Sequence, residues 1–262
     1  MKKINANGIS MNYRLDGLQS GQVVMFSNSL ISSYPMWDDQ VEAIGEKFQL
    51  LRYDTRGHAG TDAPSAPYSI AMFVEDVKGL LDALDIEKVH FVGLSMGGFI
   101  GQLFAATYPE RVTSLALCDT ACTMPPKSLW NGRIETAETE GVEGLIEGTL
   151  GRWFTQPFRD SGNPAIDNIT AMIRQTGVVG YINCAKAIRD MEQCDILGKI
   201  TAPTMVLVGE DDPACPVSSA QVLHKGIADS EYFVIKNAAH LPNIEKRDEF
   251  NALLLSFLKK HA

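Results

Sequence analysis

The segment Val92-Gly93-Leu94-Ser95-Met96-Gly97-Gly98 constrains this chain more than any other. It follows the apolar run VHFVG and leads into FIGQLFAATYP, a helical pattern that Pro109 ends. G-x-S-x-G between a strand and a helix puts a serine on a tight, strained turn, and the flanking glycines remove side chains that would clash there. The hydroxyl then projects from the end of the sheet, with a helix N-terminus behind it that favours developing negative charge. Ser95 is the expected nucleophile.

Such a turn needs a buried sheet beneath it, and the sequence supplies one. Short β-rich runs at 2–6, 9–15, 22–27, 48–54, 88–94, 112–118, 203–209 and 231–236 alternate with helical patterns. That alternation predicts a mainly parallel eight-stranded sheet with helices on both faces. The first two runs join across Asn7-Gly8, a hairpin turn signal, so the sheet is expected to begin antiparallel. VVMFSN, QLLRYD, VHFVGLS, TSLALCD and TMVLVGE are nearly continuous apolar runs with polar or glycine ends. Strands of that kind are buried on both faces, and their C-terminal ends open onto a ligand crevice. Between Asp119 and Pro203 the alternation stops. Residues 125–190 read as about four helices, broken at Gly141, Pro157, Gly162-Asn163-Pro164 and Gly177. They form an expected helical cap after the sixth strand, inserted into a core domain of 1–124 and 191–262.

A serine hydroxyl needs a base, and a neutral histidine needs a carboxylate to fix its tautomer. In the architecture with this turn, both follow the serine in the order acid, then base. Of five histidines, His90 lies within a strand run, His224 in a helix and His261 at the tail. His58 precedes the serine, in Arg56-Gly57-His58, and is expected to hold that loop. His240, in KNAAHLPNIE between the last strand and the last helix, is the expected base. Glu210, Asp211 and Asp212 end a buried strand; Gly209, Asp212 and Pro216 fit the spacing G-x-x-D-x-x-x-P, which favours Asp212. Asp211 and, after the preceding strand, Asp119 are the competitors. An oxyanion needs two fixed backbone donors. Met96, directly after the nucleophile, and Leu30, in Ser27-Asn28-Ser29-Leu30, are expected to supply them.

The chain has 262 residues and a formal net charge of −9, which argues against nucleic acid or anionic lipid as a partner. No stretch approaches the ~18 apolar residues of a membrane span. MKKINANGIS has no apolar run behind its lysines and does not read as a signal peptide. Five cysteines, at 118, 122, 184, 194 and 215, read as reduced thiols of a cytoplasmic protein, with no metal and no cofactor implied. The sequence leaves a homo-oligomer open.

FSNSL (26–30), MWDDQ (36–40), LLRYDTRGH (50–58), GLSMGGFIGQ (93–102), LCDTA (117–121), LWNGRIE (129–135), RWFTQPF (152–158) and NAAHLPNIE (237–245) together resemble the 3-oxoadipate enol-lactonases among the α/β hydrolases. SNSL in place of the usual His-Gly, and RWFT within the cap, are the discriminating segments. Ala59, where RGHG is usual, ACTMPPKS and Cys215 depart from the pattern. The resemblance implies a five-membered enol lactone with an acetate arm, opened through an acyl-enzyme on Ser95 in aromatic-ring catabolism. The lactone's carboxylate needs a cation, and Arg133 in LWNGRIE is the candidate, with Trp130 one helical turn away. Three other readings share much of this pattern. They are a carboxylesterase of small neutral esters with perhydrolase activity, a C–C hydrolase of ring-cleavage products, and a receptor that binds without turnover.

Overall fold

The computed structural model describes residues 2–124 and 126–262; residue 125, where the cap was expected to begin, lies outside them. In chain order the strands are β1 (Lys2–Ala6), β2 (Ile9–Gly17), β3 (Val23–Ser27), β4 (Gln49–Tyr53), β5 (Val89–Leu94), β6 (Val112–Cys118), β7 (Thr204–Gly209) and β8 (Glu231–Ile235). They form one sheet in the order β1-β2-β4-β3-β5-β6-β7-β8. Only the β1–β2 and β2–β4 pairs are antiparallel, as the Asn7-Gly8 hairpin requires. Both turn residues have positive φ, 45° and 75°. Strand β2 runs two residues beyond the sequence expectation because Asp16 and Gly17 keep pairing with Leu50 and Gln49 of β4.

Every residue of β3, β5 and β7 is buried, and helices cover the sheet. Outside the region between β6 and β7 these are α1 (Asp38–Gly45), α2 (Ile70–Ala83), α3 (Met96–Thr107), α9 (Val217–Gly226), α10 (Pro242–Glu245) and α11 (Arg247–Lys260). The remaining five, α4 (Lys127–Glu140), α5 (Ile146–Trp153), α6 (Gln156–Arg159), α7 (Ala165–Arg174) and α8 (Val178–Arg189), stand between β6 and β7. The sequence suggested about four. The break read at Pro157 falls between α5 and α6, with Pro157 in the first turn of α6, where its missing N–H costs nothing. Among the described residues no helix is long and apolar enough to cross a membrane.

The cysteines differ from expectation. Cys122 and Cys194 form a disulfide, and Cys118, Cys184 and Cys215 are free and buried. The reason is tertiary. The chain leaving β6 and the chain returning toward β7 pair through the bridge Thr123↔Glu192 and the Gln193 N–H to Cys122 carbonyl bond of 2.9 Å. That pairing brings the two Cα atoms to 4.8 Å across 72 residues of sequence. The thiol count therefore no longer argues for a reducing compartment.

Closing so long a loop constrains the unfolded chain, so Cys194→Ser should lower unfolding free energy by about 2–4 kcal/mol in denaturant titration. Thiol titration of the unfolded, unreduced protein should return three thiols. Five would refute the bond.

Candidate active site

The strand-to-helix turn between β5 and α3 holds Ser95 at φ 56° and ψ −115°, a left-handed conformation that side chains avoid. Three contacts keep it there. The Ser95 N–H donates to the Cys118 carbonyl at 3.0 Å, Thr120 Oγ1 donates to the Ser95 carbonyl at 2.8 Å, and the Gly97 N–H donates to the Asn28 carbonyl at 3.0 Å. The glycines are obligatory at this contact. A Cβ on Gly97 would lie 2.1 Å from the Ser27 carbonyl oxygen, and one on Gly93 would lie 2.3 Å from that of Gly97.

The loop after β3 is tied to the same point. Asn28 Nδ2 donates to the Tyr53 carbonyl at 2.6 Å, and Trp37 Nε1 donates to Asn28 Oδ1 at 3.0 Å. The Asn28 side chain is thus a bracket between β4 and the loop. The Leu30 and Met96 N–H groups are buried and have no hydrogen-bond partner among the described residues. Two buried, unpaired donors beside a serine suit a developing oxyanion. His58, expected to hold its own Arg56-Gly57-His58 turn, reaches across to this loop: its Nε2 accepts the Ile31 N–H at 2.8 Å, next to Leu30, while Nδ1 lies 3.2 Å from the Arg56 carbonyl. Accepting at Nε2 requires the neutral ring with its proton on Nδ1. Burial enforces neutrality, pushing His58 down to about 4.

On the far side, Asp212 follows β7 and His240 follows β8. His240 Nδ1 and Asp212 Oδ2 are 2.8 Å apart, and both side chains are buried. Asp212 Oδ1 also accepts the Ala214 N–H at 2.7 Å, which fixes the carboxylate plane. Asp211, the competing acid, is exposed. Ser95 and His240 line one cavity of about 40 Å³. Larger clefts, of about 430 and 600 Å³, touch neither residue and open broadly to solvent.

The rest of that cavity is lined from the helices between β6 and β7, by Trp130, Arg133, Thr149, Arg152, Trp153 and Tyr181 among others. Arg133 stacks on Trp130, 4.7 Å from the ring centroid, and forms no hydrogen bond or ion pair among the described residues; its Nε is fully buried. Among the described residues Arg152 donates only to Thr149 Oγ1, at 3.2 Å. Burial depresses both guanidinium groups, Arg152 to about 10 with further repulsion from Arg133. The sequence reading missed Arg152. A signal was present: neither arginine has an acidic residue three or four positions away on its helix.

The chain matches the α/β-hydrolase fold family model over residues 22–137. It is 30% identical to 3-oxoadipate enol-lactonase 2 of Acinetobacter baylyi, over 98% of this chain and 96% of that one. It is 28% identical to a putative carbamate hydrolase, RutD, of Agrobacterium fabrum, over 90% and 92% of the two chains. The crystal structure of the enol-lactonase from Burkholderia xenovorans superposes with a TM-score of 0.96 at 34% identity, covering 98% of this chain and all of the other.

His58 gives a pH test. Its folded value of about 4 lies below the ordinary 6.5, so between these values the unfolded chain binds a proton that the folded protein refuses. Stability is full above about 6.5 and falls toward about 4, by roughly 3 kcal/mol from this group. His58→Gln keeps an acceptor for Ile31 without the titration. Urea melts from pH 7 to 4 should show a shallower decline in the variant, and an unchanged decline would remove His58 as its source.

Proposed function

Because this chain belongs to the 3-oxoadipate enol-lactonase family of α/β hydrolases, we propose that it opens an enol lactone carrying a free carboxylate, of the 3-oxoadipate enol-lactone type, through an acyl-enzyme on Ser95. The supporting observation is the pair of half-buried arginines, Arg133 and Arg152, lining the Ser95 cavity with no carboxylate paired to either among the described residues. Withdrawing charge from water without a partner is costly, so two partly desolvated cations at one cavity favour an arriving anion. The substrate's acetate arm is that anion.

In the proposed sequence, Ser95 Oγ attacks the ring carbonyl carbon while His240 Nε2 takes its proton. Asp212, bonded to Nδ1, stabilises the imidazolium that forms. The carbonyl oxygen, now an anion, lies against the Leu30 and Met96 N–H groups. Collapse of the adduct breaks the ring C–O bond and expels an enolate, which takes the proton held on His240 Nε2 and becomes the ketone, leaving His240 neutral. Water attacks the acyl carbon as His240 removes its proton, and Ser95 leaves with that proton restored. The product is a dicarboxylate, 3-oxoadipate, which belongs to aromatic-ring breakdown. A cavity of about 40 Å³ is far below the ~300 Å³ of ordinary ligand pockets, so the helices α4–α8 act as a cap that moves to admit substrate.

Arg133→Ala and Arg152→Ala should each raise KM for the anionic lactone by roughly 10–100-fold, the worth of a charged hydrogen bond, while neutral aryl esters keep theirs within about twofold. Steady-state kinetics on both substrates decides. Equal losses would favour an esterase of small neutral esters. Ser95→Ala should cut kcat on either substrate by at least ~10⁴; lactone binding without turnover in the unaltered protein would point to a receptor instead.

A further inference from the structure

We infer that Asp119 is a positioning residue for the proposed Ser95–His240–Asp212 relay, a neutral carboxyl that donates its proton to the Asp212 carboxylate and locks it toward His240. The inference rests on the assignment of those three residues. Asp119 follows the last residue of β6 in a left-handed conformation, φ 45°, and is completely buried. Its backbone N–H donates to the Leu207 carbonyl of β7 at 2.9 Å, and its Oδ1 accepts the Gly209 N–H at 2.8 Å. The Gly209 carbonyl in turn accepts the Asp212 N–H at 3.2 Å. Asp119 therefore braces the base of the turn that presents Asp212. Gly209 has no freedom to shift, since even a Cβ there would lie 2.2 Å from the Ala239 carbonyl oxygen.

The second oxygen of Asp119, Oδ2, is buried without a hydrogen-bond partner. As a bare carboxylate oxygen it would be among the most costly groups in the protein. As a hydroxyl it can bond the neighbouring Asp212 carboxylate, whose oxygens each accept one bond, from Ala214 N–H or His240, and keep a free lone pair. Two neighbouring buried carboxyls do not both ionise. Asp212 has the imidazole and a backbone donor, so Asp119 keeps the proton. Burial first, and the charge of Asp212 second, push Asp119 well above the usual carboxylate range. The other titratable groups around the pair are the Cys118 and Cys215 thiols, both buried and pushed up, so they stay neutral, and His240.

The test uses p-nitrophenyl acetate, which asks nothing of the lactone-specific arginines. Asp119→Ala should lower kcat roughly 10–100-fold with KM within about twofold, the loss of a hydrogen bond to a charged group. Asp119→Asn, which still offers an N–H, should recover to within about threefold and leave the acid limb of the kcat/KM pH profile in place. Wild-type kcat in Asp119→Ala would overturn the inference. So would an acid limb lowered by about one unit in Asp119→Asn, the sign of a lost negative charge. Should the alanine variant fail to fold, the asparagine profile decides, together with infrared difference spectra between wild type and Asp119→Asn at pH 7. A protonated-carboxyl C=O band is expected there, and its absence would count as refutation. Ser95→Ala is assayed alongside. Full turnover in that variant would sink the relay itself, an outcome separate from any failure of Asp119.

Discussion

The close contact between the start of α3 and the end of β3 is the constraint on which the active-site geometry depends. A left-handed serine costs on the order of 1–3 kcal/mol, and such strain persists only where the surroundings over-determine it. Here backbone meets backbone with no room for a single added carbon at Gly97. The same contact joins the nucleophile turn to the Asn28 loop through the Gly97 N–H. Neither Ser95 nor the two unpaired N–H groups can drift relative to one another without breaking that seam. Asn28, braced by Tyr53 and Trp37, carries the rigidity outward to β4 and the segment before α1.

Pairing with acids separates the arginines of the core from those beside the Ser95 cavity. Arg56 is buried and meets Asp76 with two hydrogen bonds, at 2.7 and 2.5 Å. Arg52, also buried, is held by Asp16 and Asp38. In both cases the protein supplies the acids that a desolvated guanidinium requires. Arg133 and Arg152 receive a tryptophan face and a threonine hydroxyl instead. The two buried arginines are thus paired with acids, while the two half-buried ones beside the Ser95 cavity are not.

Much of this was legible in the sequence, for physical reasons. Strands buried on both faces write themselves as unbroken apolar runs, so β3 to β7 could be placed within a residue or so. The serine turn is legible because steric demand leaves glycine as the only choice beside it. His240 and Asp212 stood out because they follow strands late in the chain, where that architecture puts its loops. What pairs across long distances left no such mark. Cys122 and Cys194 read as unrelated thiols because only the crossing of two loops makes them neighbours. Arg152 looked like one more helix cation, and the bond from Gly209 N–H to Asp119 joins residues 90 positions apart.

The disulfide lies where the helical segment joins the sheet, with its departing and returning strands of chain clasped together. A segment fastened this way has its two roots joined to each other, so they cannot slide past one another. It is tied to the sheet's loops again farther along, where the Leu241 N–H donates to the Trp153 carbonyl at 3.1 Å and Thr155 bonds Glu245. Any widening of the small chamber over Ser95 must therefore work against both anchorages.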